Sequence, residues 1–518
     1  MTATIDTLPA LLAEVIAHHG NRDALVSSRG RLTYARLGTA VTDVAGRLAA
    51  RGVGRGTHVG LLLPNYAEWL VLAFAVWRCG GVLVPLNTLY RARELEHALT
   101  HAEVTHLVAV RRFLKHDYEA ALTELALPML RDRTWLDPPA NGAAQDLDPL
   151  GTRHGVLDDG PSADDVATIV FTSGSTAAPK GVVHTQAALV CAATEDAAVL
   201  GITPEDRTWG YLPFFFAGGL VAVALATLSR GGAVVLQDVF DPGETLRLLE
   251  AERVTVFFAW PHQAEALLAH PDFAQRSLAL HKGVGANAKW AAGLYRPDHH
   301  AVGSYGMTET PPLCTAWPWD APKTLRETSH GPPVGAKELR IVDPEDGHVL
   351  AGGETGEICV RGPSLLRGYF GEDPATCFDA DGFFHTGDLG WLDERGALHF
   401  VGRAKDIIKT AGVNVAAAEI EAVLMELGEV GAAHAVGVPD ARRGENVGVF
   451  VVPVGALDEA TVLAHCRERL ASYKVPRHIW LRTEAELPKK GSGKADKQRL
   501  RAEAVRLAGS ATGGVARS

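Results

Sequence analysis

The sequence predicts an α/β protein: a large N-terminal domain of stacked, mostly parallel sheets with a small β-rich subdomain, then a small α+β C-terminal domain. Three observations carry this. Short Val/Leu/Ile-rich runs alternate with amphipathic stretches through the first part of the chain. From about Gly353 the texture changes to short alternating strands with turns. After Gly402 a charged stretch leads into a compact α/β segment ending near Leu507.

In chain order, the N-terminal stretch carries Asp6 and Glu14 and no basic lead-in, so it reads as a helix rather than a signal peptide. HVGLLLP (His58 to Pro64), a helix from Glu68 to Cys79 and GVLVPL (Gly81 to Leu86) form a strand–helix–strand unit, the crossover that parallel strands need. THLVAV, ATIVFT, GAVVLQ and VTVFFA repeat the strand texture, without a solenoid period. Residues 1–402 form the expected N-terminal domain, with EICVRG, GFFHTGDLGWL and ALHFVG in a β-rich part over about 335–402. Residues 403–406 are the boundary. In 407–507, AAHAVGV and NVGVFVVPV read as strands under the helix TVLAHCRERL, and 508–518 reads as a disordered tail.

The 518 residues suggest two to four folding units, and 47% hydrophobic against 21% charged residues excludes disorder for most of the chain. A net charge of −11 argues against nucleic-acid or membrane binding, while leaving room for a local basic pocket for a phosphorylated small molecule. Cys79, Cys191, Cys314, Cys359, Cys377 and Cys466 form no CxxC pair, so neither a zinc site nor a disulfide scaffold is indicated, and a cytoplasmic setting is expected. The uncharged run from Gly218 to Leu228 is too short to span a bilayer.

Five stretches carry chemistry. In IVFTSGSTAAPKGVVHT, a β-branched strand runs into Thr172, Ser173, Gly174, Ser175 and Thr176, followed by Pro179, Lys180 and Gly181. Converging N–H groups, hydroxyls and one lysine suit a polyphosphate cradle, although Pro179 excludes the GxxxxGK[ST] loop. A plain Ser/Thr-rich loop fits the composition equally well. In VGSYGMTET (Val302 to Thr310) an aromatic ring precedes a hydroxyl and a carboxylate suited to phosphate and metal; a capped turn explains it equally well. In HTGDLGWL, Asp388 has the chemistry to accept from two ribose hydroxyls, or simply to make a turn. GRAKDIIKTAGVNV (Gly402 to Val415) is the fourth. In LPKKGSGKADKQRLR, Lys494 follows a Gly-Ser-Gly loop that gives one ammonium reach, the alternative being a solvated basic tail.

Together these stretches resemble the adenylate-forming superfamily of acyl-CoA synthetases, aryl-CoA ligases, luciferases and peptide-synthetase adenylation domains. The likeness runs from about Leu32 to Arg501, most specifically at TSGST..PKG, YGMTE, TGD, GRAKDIIK and GSGK. VGLLLPNYAEWLVLAFAVWRCGGVLVPLNTLY and GEICVRGPSLLRGYF also fit. The resemblance implies a mobile C-terminal lid and an ATP-dependent ligase joining a carboxylic acid to CoA, with Mg²⁺. The Thr172-to-Lys180 loop would close on the β- and γ-phosphates, and Ser304 and Tyr305 would lie by adenine opposite Gly285, Ala286 and Asn287. Thr308 would contact the α-phosphate, Glu309 would hold Mg²⁺, and Asp388 and Arg403 would bind ribose. Lys494 would bridge carboxylate and α-phosphate, and Lys405 would be the hinge. After the swing, Gly412, Val413 and Asn414 would line a thiol tunnel. Phe216, Ala217, Gly218, Trp260 and Gly283 would line the acyl pocket.

The chain departs from the family pattern at Ala177, Phe216, Val284, Asn287 and Ala417. Phe216 stands where many relatives have His. It and its aromatic neighbours Phe214, Phe215, Phe258 and Trp260 suit a bulky, apolar monocarboxylic acid, with Ala217, Gly218 and Gly219 giving room, although at least two of these aromatics are expected to be plain packing residues. Three alternatives stand beside this reading. One is a thiol-transfer specialist using an acyl-adenylate made elsewhere, another an adenylation enzyme that loads a carrier protein, and the third a regulatory binding protein on an inactive synthetase fold. Homodimerisation is left open.

Overall fold

The structure, a computed structural model, describes residues 5–136, 150–157, 159–172, 179–286, 293–403, 406–410, 413–440, 443–470, 474–490 and 494–512. The chain divides into two compact units. The first is Met1–Leu339 with Val360–Phe384 and Arg395–Leu398; the second is Arg340–Cys359 with His385–Glu394 and His399–Ser518. Residues 340–359, 385–394 and 399–402 therefore group with the C-terminal segment, although they precede the boundary read from the sequence.

In the first unit the expected crossover is present: strand His58–Leu62, helix Ala67–Arg78, strand Val82–Pro85, the two strands parallel with Val59 opposite Leu83. They lie inside a seven-stranded sheet ordered Gly368–Tyr369, Lys180–Thr185, Val166–Thr172, Val82–Pro85, His58–Leu62, His106–Ala109, Asp132–Trp135. A six-stranded sheet runs Lys282–Gly283, Val256–Phe257, Arg207–Gly210, Ala233–Leu236, Asp23–Ser27, Gly30–Thr33, and its neighbours are parallel up to the last, antiparallel pair.

Helix Ala67–Arg78 is buried continuously from Glu68 to Trp77, which is why its sequence is apolar on every side rather than on one stripe. One core joins residues of both sheets, among them Leu25 and Val234 from one and Val59 and Ile169 from the other. Trp69, Phe74 and Trp77 anchor it, each burial stabilising by roughly 1.5–3 kcal/mol. The Trp77 indole N–H meets the Ala167 carbonyl at 2.9 Å, so its one polar atom is satisfied.

In the second unit a five-stranded sheet joins Val413–Ala416, Ile407–Thr410, Gly444–Pro453 and Val430–Asp440, with His478–Leu481 parallel to Gly444–Pro453. Helix Glu459–Arg469, capped by Asp458, covers it as the sequence predicts, burying Val462 and Cys466. The β-rich stretch makes a four-stranded sheet in the order Glu338–Val342, Gly356–Arg361, Phe384–Leu392, Leu398–Arg403. The final helix, Lys497–Thr512, reaches into the stretch expected to be unstructured from 508, a correction for 508–512; its run of Leu and Ala keeps helical spacing, and residues 513–518 lie outside the described ones. All six cysteines are free thiols. Among the described residues no helix is long and apolar enough to cross a membrane.

Candidate active site

Strands Val166–Thr172 and Lys180–Thr185 pair antiparallel with Thr172 opposite Lys180, so the hydroxyl-rich loop is pinned at both ends. Ser173, Gly174, Ser175, Thr176 and Ala177 lie outside the described residues. Lys180 Nζ is 2.9 Å from Glu372 Oε2 and 4.6 Å from the centroid of the Tyr369 ring. The Tyr369 hydroxyl donates to Glu309 Oε1 at 3.0 Å. Lys180 and Glu309, far apart in sequence, are thus separated by one phenol ring. Burial, followed by the Glu309 charge, pushes the Tyr369 hydroxyl well above its ordinary pKa, so it remains a donor. Strand Gly368–Tyr369 pairs with Lys180–Thr185, Tyr369 opposite Val182, and this pairing sets the ring's position.

Ser304–Tyr305 pairs with Thr315–Ala316, and Tyr305 is buried. The turn that follows is tight. A Cβ on Gly306 would stand 1.8 Å from the Pro312 carbonyl oxygen, so only glycine fits. Thr308 is half-buried and Glu309 only 6% exposed. Buried His184 donates through Nε2 to the Thr308 carbonyl at 3.0 Å. Burial lowers its pKa to about 4, with the Thr308 bond opposing, so the ring is neutral at pH 7. The Gly285 and Ala286 amides donate to the Val302 carbonyl at 2.9 and 3.2 Å, and Asn287 lies outside the described residues.

Glu309 suits a hard cation. Mg²⁺ is commonly held by one or two carboxylates together with substrate phosphate oxygens. Glu309 is a nearly buried carboxylate, and the Tyr369 hydroxyl and, beyond its ring, the Lys180 ammonium lie beside it. The described groups of three or more side chains with metal-ligand spacing are elsewhere, at Glu357, Cys359 and His385 and at Asp343, Asp346 and His348.

Of the aromatics, Phe214 and Phe258 are core residues, and Phe214 packs on Trp69 at 5.3 Å between centroids. Phe216 is half-buried, 4.6 Å from the Phe215 ring and 6.1 Å from Trp260 in an edge-on contact. Trp260 in turn stacks with His262 at 5.8 Å. Ala217 is buried and Gly218 half-buried at the start of a π-helical stretch, Gly218–Leu225. Gly283 has φ +134, and a Cβ there would meet the Phe257 carbonyl at 2.0 Å. A cavity of about 280 Å³ in the first unit is lined instead by Leu25, Arg29, Leu32, Asn65, Tyr66 and Leu236, with Asn65 and Tyr66 leading into helix Ala67–Arg78.

The second unit carries its own charged group. Buried Asp388 has its Oδ1 2.6 Å from Arg403 Nε, and its backbone N–H meets the Thr386 hydroxyl at 3.1 Å. Glu357 braces the turn, accepting from Gly387 N at 2.9 Å and facing His385 Nδ1 at 2.9 Å. The Lys494 side chain is exposed in area, yet its ammonium is held below the ordinary lysine range, first by lost hydration, then by Arg403 and Lys490, with Asp388 opposing. Asp388, Arg403 and Lys494 therefore act on one another electrostatically. Lys405 and Gly412 lie outside the described residues; Val413 and Asn414 fall on strand Val413–Ala416, opposite Thr410 and Lys409. Ala417 opens helix Ala417–Leu424, buried.

Tyr369, Glu372 and His184 are site neighbours that motif reading passed over. His184 and Tyr369 stood inside quoted motifs, but only strand pairing shows what they meet.

Residues 12–370 match the AMP-binding enzyme family, and residues 419–494 match the AMP-binding enzyme C-terminal domain. A 3-(7a-methyl-1,5-dioxo-octahydro-inden-4-yl)propanoyl:CoA ligase of Mycobacterium tuberculosis is 35% identical over 97% of this chain and 99% of its own. A feruloyl-CoA synthase of an Amycolatopsis species is 36% identical over 91% of this chain and 93% of its own. ATP-bound MatB from Rhodopseudomonas palustris superposes with a TM-score of 0.85 at 30% identity, covering 96% of this chain and 99% of MatB. The chain belongs to the AMP-binding enzyme family. Its class is that of the AMP-forming acid–CoA ligases, as the five motifs implied.

Proposed function

We propose that this ligase activates a bulky, apolar monocarboxylic acid as its acyl-adenylate and transfers the acyl group to CoA. The observation that carries the substrate class is the half-buried edge-on pair of Phe216 and Trp260, an apolar wall at the position where the family resemblance leads one to expect a polar His. The relatives named for a fused-ring propanoyl group and for a feruloyl group point the same way.

In the first half-reaction the substrate carboxylate attacks the α-phosphorus of ATP and pyrophosphate leaves. The nucleophile is weak and negative charge builds on the phosphoryl oxygens, so rate depends on cations placed beforehand. Lys180 and the Thr172 loop would hold the β- and γ-phosphates, and Thr308 would meet the α-phosphate. Mg²⁺, held at Glu309, would supply charge neutralisation. Lys494 would approach the α-phosphate and carboxylate, while Asp388 and Arg403 would take the ribose hydroxyls. In the second half-reaction the CoA thiol attacks the acyl carbon and AMP leaves. A C-terminal lid turning about Lys405 would then present Gly412, Val413 and Asn414 to the thiol, keeping water from the mixed anhydride meanwhile.

A thiol-transfer specialist would not need the connection that Lys180, Tyr369 and Glu309 make, so that connection favours both half-reactions. The CoA-ligase names of the relatives favour CoA over a carrier protein. A panel of aromatic, fused-ring and short-chain acids, read by acid-dependent pyrophosphate release, tests the reading: ring-bearing acids should lead, and a preference for short or dicarboxylic acids would refute it.

A further inference from the structure

We infer that Asn65 is a positioning residue for the acid substrate, its one carboxamide fixing the loop from which Phe216 projects. The inference rests on the reading that Phe216 bounds the acid pocket. Asn65 is 6% exposed and its side chain is fully engaged. Nδ2 donates to the Gly210 carbonyl at 2.9 Å and to the Leu212 carbonyl at 2.8 Å, while Oδ1 accepts from the Phe214 N–H at 3.1 Å. Two acceptors on one side and a donor on the other admit only this orientation of the amide. Strand Arg207–Gly210 ends at the first of these contacts, so Asn65 takes over the backbone where sheet pairing stops.

The grip reaches Phe216 in two short steps. The Phe216 N–H meets the Pro213 carbonyl at 3.0 Å, and the Leu220 N–H meets the Phe216 carbonyl at 3.0 Å. A Cβ on Gly219 would lie 2.2 Å from the Pro213 oxygen and 2.5 Å from the Leu212 oxygen, so the loop is pressed onto the following helix with no slack. Asn65 is itself held firmly. Arg29, paired with Asp238 at 3.3 Å, caps the neighbouring Tyr66 ring at 4.0 Å, and one helical turn on, Trp69 packs on Phe214. A shift of the loop would move the Phe216 ring against Trp260, and with it the acid carboxylate relative to the α-phosphorus. It would not move the phosphate-side residues Lys180, Tyr369 and Glu309, which belong to other elements.

Asn65→Asp keeps size and the acceptor for Phe214 but replaces both donors with an oxygen facing two carbonyls. In the full-length enzyme, with the best acid from the panel, it should raise KM for that acid about tenfold and leave KM for ATP within about twofold, since a displaced pocket wall removes binding of the acid and not of the nucleotide. Hydrogen exchange over residues 210–217 should quicken while that over 304–309 stays unchanged. Asn65→Ser, which retains a hydroxyl donor, should fall between the two, and it stands in should Asn65→Asp not accumulate folded. Phe216→Ala is the control. An acid KM shifted by Phe216→Ala but not by the Asn65 variants overturns the inference alone, and an acid KM moved by neither overturns it together with the pocket reading. Equal rises in both KM values, or a fall in kcat tracking the folded fraction, would reduce Asn65 to a structural residue and overturn it as well.

Discussion

His184 and Asp196 are both fully buried, and their titrations act on stability in opposite directions. For His184 the folded pKa of about 4 lies below the usual 6.5, so the unfolded chain takes up a proton first as pH falls. The stability it contributes is complete above pH 6.5 and is lost between 6.5 and 4, at about 1.4 kcal/mol per unit. His184→Gln should flatten the fall of melting temperature over that window; an unchanged slope would count against a neutral, buried ring. Asp196, on helix Gln186–Val199, has neither carboxyl oxygen hydrogen-bonded among the described residues. Burial, aided by Glu195 and opposed by Lys337, pushes its pKa well above 3.8. Its contribution is therefore present below pH 3.8 and lost as pH rises. Asp196→Asn, which cannot ionise, should raise stability at pH 7 relative to pH 4, by about 1.4 kcal/mol for each unit by which the folded pKa is raised up to pH 7, and a lower melting temperature at pH 7 would contradict this.

At the scale of elements, the site depends on turns whose backbone leaves no room for a side chain. Gly306 separates Tyr305 from Met307, Thr308 and Glu309, with the Pro312 carbonyl closing over it. Gly306→Ala should shift the whole turn, lowering stability by roughly 1–3 kcal/mol as overpacking does and cutting adenylation more than tenfold. Pyrophosphate release and a melting curve on the same preparation check it, and near-normal turnover would show that the turn can yield. The strand pairing around this turn was only partly legible in the sequence. The strand texture of ATIVFT and of KGVVHT is local and shows in the residues themselves. The pairing of Gly368–Tyr369 with Lys180–Thr185 is not, because a two-residue strand has no period to read. Tyr369 was for that reason invisible as the link from Lys180 to Glu309, and so was Glu372 as the partner of Lys180.

At the scale of the molecule, the groups that the proposed reaction would use fall in two units. The first unit holds Lys180, Thr308 and Glu309, and the second holds Asp388, Arg403 and Lys494. On the proposed two-step reading, Lys494→Ala should depress acid-dependent pyrophosphate release by orders of magnitude while sparing thioester formation from supplied acyl-adenylate and CoA. Equal losses in both assays would remove the case for a lid that presents different residues in turn. The residues alone determined the kinds of element and the βαβ rhythm of the first unit, because hydrophobic period, glycine and proline act over a few neighbours. Only tertiary structure decided which common side chains become partners: a tyrosine set between lysine and glutamate, a histidine beneath Thr308, an asparagine holding three backbone groups of a distant loop. Those meetings depend on sheet order and burial across hundreds of residues, where no local pattern carries the information.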